Sequence, residues 1–290
     1  MDRPRLTSFF KESGKKPFFV CDVSPPRLGM SDSISGLLEL DPDMFSVSYN
    51  PGRSTIMNSV IAATWLQTQT GIETMFTLAT RDMNKLALQS LMLGAQFNSL
   101  NNVVIVQGDK FSAEEALLAC EINDFTPTEM IKATTNMNSR KDFRGRYIHE
   151  PTDFLIGAVF DLNKPWERES HLVGQKIKAG ADFLIAQPFY DIENARKFMD
   201  YYFEVHDQPL DLPIFWGLQM LEKGSGSFCE VPTKISKNVD RGISTVELAT
   251  QFIEKFQQLG IGSFYLIPPF FKGGRRSYLA AQTLLEEIRN

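Results

Sequence analysis

The chain has 290 residues, 43% of them hydrophobic, with 30 Lys and Arg against 35 Asp and Glu for a formal net charge of -5. This is enough apolar material for one large α/β barrel or two ordinary domains, and the lack of a basic field argues against nucleic acid as a partner. Three widely spaced cysteines, Cys21, Cys120 and Cys229, suggest neither a disulfide framework nor a cysteine zinc site, and no signal peptide or membrane-length apolar stretch is visible, so a soluble, cytoplasmic protein without a membrane partner is expected.

In chain order, apolar runs of strand length fall at 18–23, 44–48, 74–78, 103–106, 154–159, 183–186, 213–217 and 263–267. Helical periodicity separates them. Residues 55–70 put Ile56, Val60, Ala63 and Leu66 or Trp65 on one face, and residues 82–97 do the same with Leu86, Leu93 and Phe97. The strands are continuously apolar rather than alternating, which marks a parallel sheet covered on both faces. Ser112 with Glu115 and Ser244 with Glu247 have capping-box spacing, and Asp191 reads as the N-cap of a helix over 192–203. Gly71, Gly180, Gly260 and Gly262 stand where helices give way to strands. Two longer connections, 123–152 (with a helix candidate at 127–134) and 221–240, read as loops free to move over a site. Residues 1–16 read as an extension ahead of a single catalytic barrel over 17–290. Eight strands alternating with helices predict an α/β fold, the (β/α)8 TIM barrel.

Four of the runs end in polar residues: Asp22 and Ser24 after the first, Gln107, Gly108 and Asp109 after the fourth, Gln187 to Asp191 after the sixth, and Pro268 with Pro269 after the last. In a parallel barrel the carboxyl ends of the strands carry the chemistry. Asp22, followed by Val23, Ser24 and two prolines, cannot cap a helix, which leaves a structural and a functional reading both open. Asp109 follows Gly108, which either lets a ligand approach the backbone or makes an ordinary turn. His149, His171 and His206 show no metal-ligand spacing, so no metal is expected. Glycine-rich dinucleotide and P-loop fingerprints are absent. Phe270 and Phe271 either shield a site or pack beneath the closing helix.

Five segments carry a resemblance: Asp22 to Arg27 (DVSPPR), Thr70 to Asn84 (TGIETMFTLATRDMN), Asn102 to Asp109 (NVVIVQGD), Lys176 to Gln187 (KIKAGADFLIAQ) and Phe264 to Pro269 (FYLIPP). In order and spacing they resemble methylenetetrahydrofolate reductases, most of all the reductase half of bacterial fusions with a homocysteine methyltransferase. The resemblance implies a (β/α)8 flavoprotein of one-carbon metabolism, with FAD at the strand ends. NAD(P)H would reduce the flavin, which would then pass hydride to 5,10-methylenetetrahydrofolate and give 5-methyltetrahydrofolate. Asp22 stands where the family has a glutamate that protonates N10, and an apolar surround would raise its pKa for that task. Asp109 would serve both flavin and folate, Gln187 would bind the pterin, and Phe189 and Tyr190 would help wall the cleft. Ser48, Thr77, Gln107, Gly108, Glu169 and Lys176 fall at flavin-contacting positions.

The chain also departs from that pattern. Thr77 replaces the usual histidine, Gln107 the usual arginine and Ser48 the usual threonine, which removes charge-assisted hydrogen bonds to the cofactor. Two alternatives follow: a flavin-poor member that takes hydride directly from a nicotinamide or from a redox partner protein, and a non-catalytic folate-binding member working with a partner subunit. A homo-oligomer is left open.

Overall fold

Apolar runs buried on both sides become strands at all eight expected places. A computed structural model describes residues 16–26, 36–272 and 275–289; the expected extension lies outside them except for Lys16. The strands are β1 (Phe18–Val23), β2 (Met44–Val47), β3 (Thr74–Ala79), β4 (Asn102–Val106), β5 (Leu155–Phe160), β6 (Phe183–Ala186), β7 (Ile214–Gln219) and β8 (Ser263–Ile267). Each pairs in parallel with its neighbours, and β8 pairs with β1 to close the barrel. Helices α1 (Ser59–Thr70), α2 (Lys85–Phe97), α3 (Pro127–Asn138), α4 (Trp166–Ala179), α5 (Glu193–His206), α6 (Thr233–Asp240), α7 (Thr245–Gln258) and α8 (Tyr278–Arg289) belong to its outer layer and connections.

Alternation along the strands divides the core in two. Phe18, Val20, Met44, Met75, Val104, Phe183, Ile185 and Phe215 fill the barrel interior, with the Phe215 ring 5.7 Å from Phe18 and 5.8 Å from Phe183. Gly157 on β5 is required by this plug: a Cβ there would stand 2.4 Å from the Phe183 ring. The intervening residues, such as Phe19, Phe45, Phe76, Phe160 and Phe264, pack outward under the helices. Full burial of each such ring contributes roughly 1.5–3 kcal/mol. One seam is short. β6 and β7 share only two register pairs, Leu184 with Ile214 and Ile185 with Phe215, whereas the other neighbours share three to five.

Several local expectations are corrected. On α2 the buried face is Leu88, Gln89, Met92 and Ala95, while Leu86, Leu93 and Phe97 are exposed. That helix is apolar on more than one side, so periodicity alone picks the wrong stripe. Asp191 does not cap α5: the helix starts at Glu193 after Ile192, with no side-chain cap. Ser112 and Glu115 do exchange capping hydrogen bonds, but over a 3-10 turn (Glu115–Leu117) rather than an α-helix. A full capping box instead opens α3, between Thr126 and Glu129. The 123–152 connection contains α3, and its later part leads into the amino end of β5, so that part lies away from the carboxyl-terminal rim.

Candidate functional site at the barrel mouth

Because all eight strands run parallel, their carboxyl ends share one rim. Asp22 lies on the same side of β1 as Phe18 and Val20, so it continues the interior row into the mouth. Register places Ser46 beside Asp22 and Tyr265 beside Val20. By the same alternation Thr77 follows Met75, Gln187 follows Ile185 and Gln219 follows Phe215. An apolar plug below thus gives way to an acid, hydroxyls and amides above.

Asp22 is buried, at 4% exposure. Its Oδ2 is ion-paired with Arg276 Nη2 at 2.6 Å, and its Oδ1 accepts a hydrogen bond from the Tyr265 hydroxyl at 3.0 Å. The same hydroxyl lies 3.1 Å from Ser46 Oγ. Burial, and then the Asp22 carboxylate, push the Tyr265 hydroxyl well above its ordinary range. Arg276 Nε donates to Ser24 Oγ at 2.7 Å, and the Ser24 amide donates to the Tyr278 hydroxyl at 3.3 Å. The surround of Asp22 therefore differs from the apolar wall expected: one oxygen accepts from a hydroxyl and the other is paired with a permanent cation.

Arg276 reaches the mouth on a hairpin that follows β8. Phe270 and Arg276 form an antiparallel bridge, closed by Phe271 N to Arg275 O at 2.8 Å and Ser277 N to Pro269 O at 2.9 Å. The β7 loop is tied to this hairpin. Gly226 N donates to Phe270 O at 2.8 Å, Ser277 Oγ donates to Glu222 Oε1 at 2.8 Å, and the Phe228 and Phe270 rings lie 4.8 Å apart. Gln219 anchors the loop from below, donating to Gly226 O at 2.8 Å and accepting from Phe228 N at 3.0 Å. Gly226 has no room for a side chain, since a Cβ would stand 2.4 Å from the Phe270 ring.

The structure brings some of the expected residues to this mouth and leaves others apart. Ser48 Oγ donates to Val23 O at 3.1 Å, joining the ends of β1 and β2. Gln187 is half-buried, and its chain segment crosses β7 where Gly217 lacks a side chain: a Cβ there would stand 2.6 Å from Ala186 O and 2.7 Å from Pro188 N. Gln107 and Asp109 are exposed at the end of β4. Gly108, at φ +88, turns the chain against Ala79, and Arg81 holds the Asp109 backbone carbonyl. Tyr190 reaches the β7 loop through Ser227 Oγ at 3.3 Å, and burial pushes its hydroxyl up to about 12. Phe189 does not line the mouth: it packs edge-on against Trp216 and Phe256 in the outer layer, at 5.9 and 5.7 Å.

Glu169 and Lys176 both lie on α4. Glu169 Oε2 accepts from Asp161 N at 3.1 Å, and Lys176 Nζ donates to Val159 O at 2.6 Å. Burial lowers the Lys176 ammonium below its ordinary value, with Glu169 opposing. The positions that the resemblance assigns to FAD thus hold one cation, already engaged by strand backbone. They do not form a diphosphate cradle, so the residues present do not fit that cofactor.

Four residues of the mouth escaped the sequence reading. Tyr265 was visible inside the FYLIPP segment, and Gln219 continues the alternation Phe215, Gly217, Gln219. Ser46 sits mid-strand among apolar neighbours. Arg276 left no signal, because its place depends on how the hairpin folds.

The closed parallel barrel defines a (β/α)8 protein, and its acid, hydroxyls and amides gather at the carboxyl-terminal rim, the end at which barrels of this kind build their sites. The chain belongs to the methylenetetrahydrofolate reductase family, whose model matches residues 10–263. Members of this family are generally flavin-dependent. No curated protein matches the chain in sequence. Among solved structures, a Clostridium thermocellum protein described as binding two copies of 5-methyl-5,6,7,8-tetrahydrofolic acid is similar at a TM-score of 0.68 and 14% identity, over 98% of this chain and 99% of that one. Oxaloacetate acetylhydrolase aligns at a TM-score of 0.52 and 11% identity, over 90% of this chain and 78% of that one. At these identities the likeness is one of fold.

Proposed function

We propose that the chain binds a tetrahydrofolate derivative in the barrel mouth and reduces 5,10-methylenetetrahydrofolate to 5-methyltetrahydrofolate. The observation that carries this reading is the inward polar row above the apolar plug (Asp22, Ser46, Thr77, Gln187, Gln219 and Tyr265), in a chain of this family. A pterin is flat and rich in donors and acceptors, which suits a cleft with an apolar floor and amides on its walls. The folate bound by the Clostridium thermocellum protein supports the same ligand class.

The reaction adds a hydride to the one-carbon unit and a proton to N10. A reduced pyridine nucleotide supplies the hydride and leaves as its oxidised form. Asp22 is the buried acid assigned to the proton, with Gln187 and Asp109 assigned to the pterin. Lys176 and Glu169, held by strand and loop backbone, leave FAD without its phosphate contacts, so the purified protein is expected to carry little flavin.

One observation favours a second reading, folate binding without turnover. Asp22 Oδ2 is ion-paired with the Arg276 guanidinium and Oδ1 accepts from the Tyr265 hydroxyl, so both oxygens of the assigned acid are already occupied by protein groups. A single preparation separates the readings: record its visible spectrum, titrate it with 5-methyltetrahydrofolate, and follow NADH and NADPH oxidation with 5,10-methylenetetrahydrofolate. Binding with turnover supports reduction, and binding alone supports the second reading. Absence of binding refutes both, and stoichiometric flavin absorbance refutes the assignment of Lys176.

A further inference from the structure

One outer face of the barrel is built almost without charge. None of the 12 residues of α1 is charged and only Lys85 of the 13 of α2, in a chain where 22% of residues are charged and every other helix named above carries at least two such residues. The two helices are neighbours, tied where Gln67 Nε2 donates to Ser99 O at 3.2 Å. On the outward side of α2 stand Leu86, Leu93 and Phe97, 59%, 43% and 90% exposed, with Ala87, Ser90 and Gly94 exposed among them. An outer helix ordinarily turns charged and polar groups to water. Loss of charge together with large apolar groups marks the core of a protein interface.

We infer that this face joins two copies of the chain about a two-fold axis that runs along α2, so that the two α2 helices lie side by side and parallel. Helical spacing puts Leu86 and Leu93 on the edge of α2 nearer Gln89, and Ala87 and Gly94 on the edge nearer α1. A ridge and a groove therefore run together along one helix at matching heights, Leu86 beside Ala87 and Leu93 beside Gly94. The two-fold lays the ridge of each copy in the groove of the other, and at Gly94 the groove is open, with nothing within 4 Å of where a Cβ would stand. A foreign partner would need only one of the two. Charge selects the parallel arrangement. Gln89 Oε1 accepts from Phe143 N at 2.8 Å, so the segment bearing Arg140, Lys141, Arg144 and Arg146, all exposed, flanks the ridge edge. Antiparallel helices would set the two basic segments against each other, whereas parallel ones set each against the uncharged α1 of the other copy. The six face residues present on the order of 500 Å² per copy, so the pair buries roughly 1,000 Å², the size that a specific interface must reach. The axis runs beside both barrels and leaves their mouths uncovered, so this inference stands apart from the folate reading.

The test is sedimentation equilibrium of the full chain, with circular dichroism to establish folding, in the wild type, Leu93→Glu and Gly94→Leu. The wild type is expected to be a dimer at about 10 μM, and a monomer there overturns the inference. Leu93→Glu is expected to raise the dissociation constant about a hundredfold or more, because the axis repeats the loss and buries two carboxylates. Gly94→Leu separates fit from stickiness: the single chain has room for the side chain and gains apolar surface, yet the groove is filled, so a rise of similar size is expected. A dimer that either variant leaves at wild-type strength overturns the inference, and should Leu93→Glu not fold, Gly94→Leu decides alone. Direction is read by a short bismaleimide on Ser90→Cys and on Phe97→Cys, each with Cys120 and Cys229 replaced by serine. Both are expected to link to their own counterparts. Antiparallel helices could do this at one height only, since the two positions lie about 10 Å apart along the axis, so linkage of one alone or of neither overturns the parallel pairing.

Discussion

The Asp22–Arg276 pair makes a sharp demand on stability. With side chains 6% and 4% exposed and 2.6 Å between the charged atoms, neither partner can recover water if the other is removed. Arg276→Met leaves a buried carboxylate whose remaining donor is Tyr265, and Asp22→Leu leaves a buried guanidinium whose remaining acceptor is Ser24. Each single change is expected to cost about 3–5 kcal/mol. The double variant leaves no orphaned charge and is expected to cost less than either, so the coupling energy in a double-mutant cycle should exceed about 3 kcal/mol. Urea denaturation at neutral pH, followed by tryptophan fluorescence and far-UV circular dichroism, measures all four corners. A coupling below about 1 kcal/mol would mean that the pair is open to water, and the account of Asp22 as a held carboxylate would fail.

Three further outcomes follow from the same geometry. Gly217→Ala forces a Cβ against the backbone of Ala186 and Pro188, so it should lose roughly 1–3 kcal/mol and also weaken 5-methyltetrahydrofolate binding by displacing Gln187; normal affinity in calorimetry would show that the crossing does not position that amide. Burial raises the Asp182 carboxyl above its ordinary 3.8, against the Ile156 amide that donates to it. The folded state therefore keeps this proton to higher pH than the unfolded chain, and the group's contribution to stability falls as pH rises through the range just above 3.8. Asp182→Asn, which keeps an acceptor for Ile156, should flatten that stretch of the stability profile, and an unchanged slope there would count against it. Thr126→Ala removes the reciprocal cap of α3 and is expected to cost about 1 kcal/mol in chemical denaturation; no measurable loss would show that the cap is replaced by water.

The barrel was legible because burial on both faces makes each strand a continuous apolar run, and the runs starting at Phe18, Phe183 and Ser263 match their strands end to end. Strand ends were harder: β7 continues to Gln219, two residues past the apolar run, and the reading that stopped at Gly217 lost an amide of the mouth with it. Helix faces failed where apolar residues surround the axis, as on α2. Asp22 could be singled out because no helix follows it closely enough to be capped. Its partner could not, since 254 residues separate Asp22 from Arg276 and only the folded hairpin brings them together. Phe189 misled for the opposite reason: nearness in sequence to Gln187 says nothing about which side of the wall a ring takes.

The abbreviated β6–β7 seam has a mechanical consequence. A closed ring of ladders has no edge to fray from and resists widening everywhere that its rungs are numerous. Here the rungs stop at Ile185 and Phe215, and just above them the 186–188 segment lies across Gly217 in close contact, so the top of this seam is held by backbone packing where its base is held by rungs. The hold between these two strands therefore passes from ladder hydrogen bonds at the base to packing at the top, while every other seam is laced for three rungs or more.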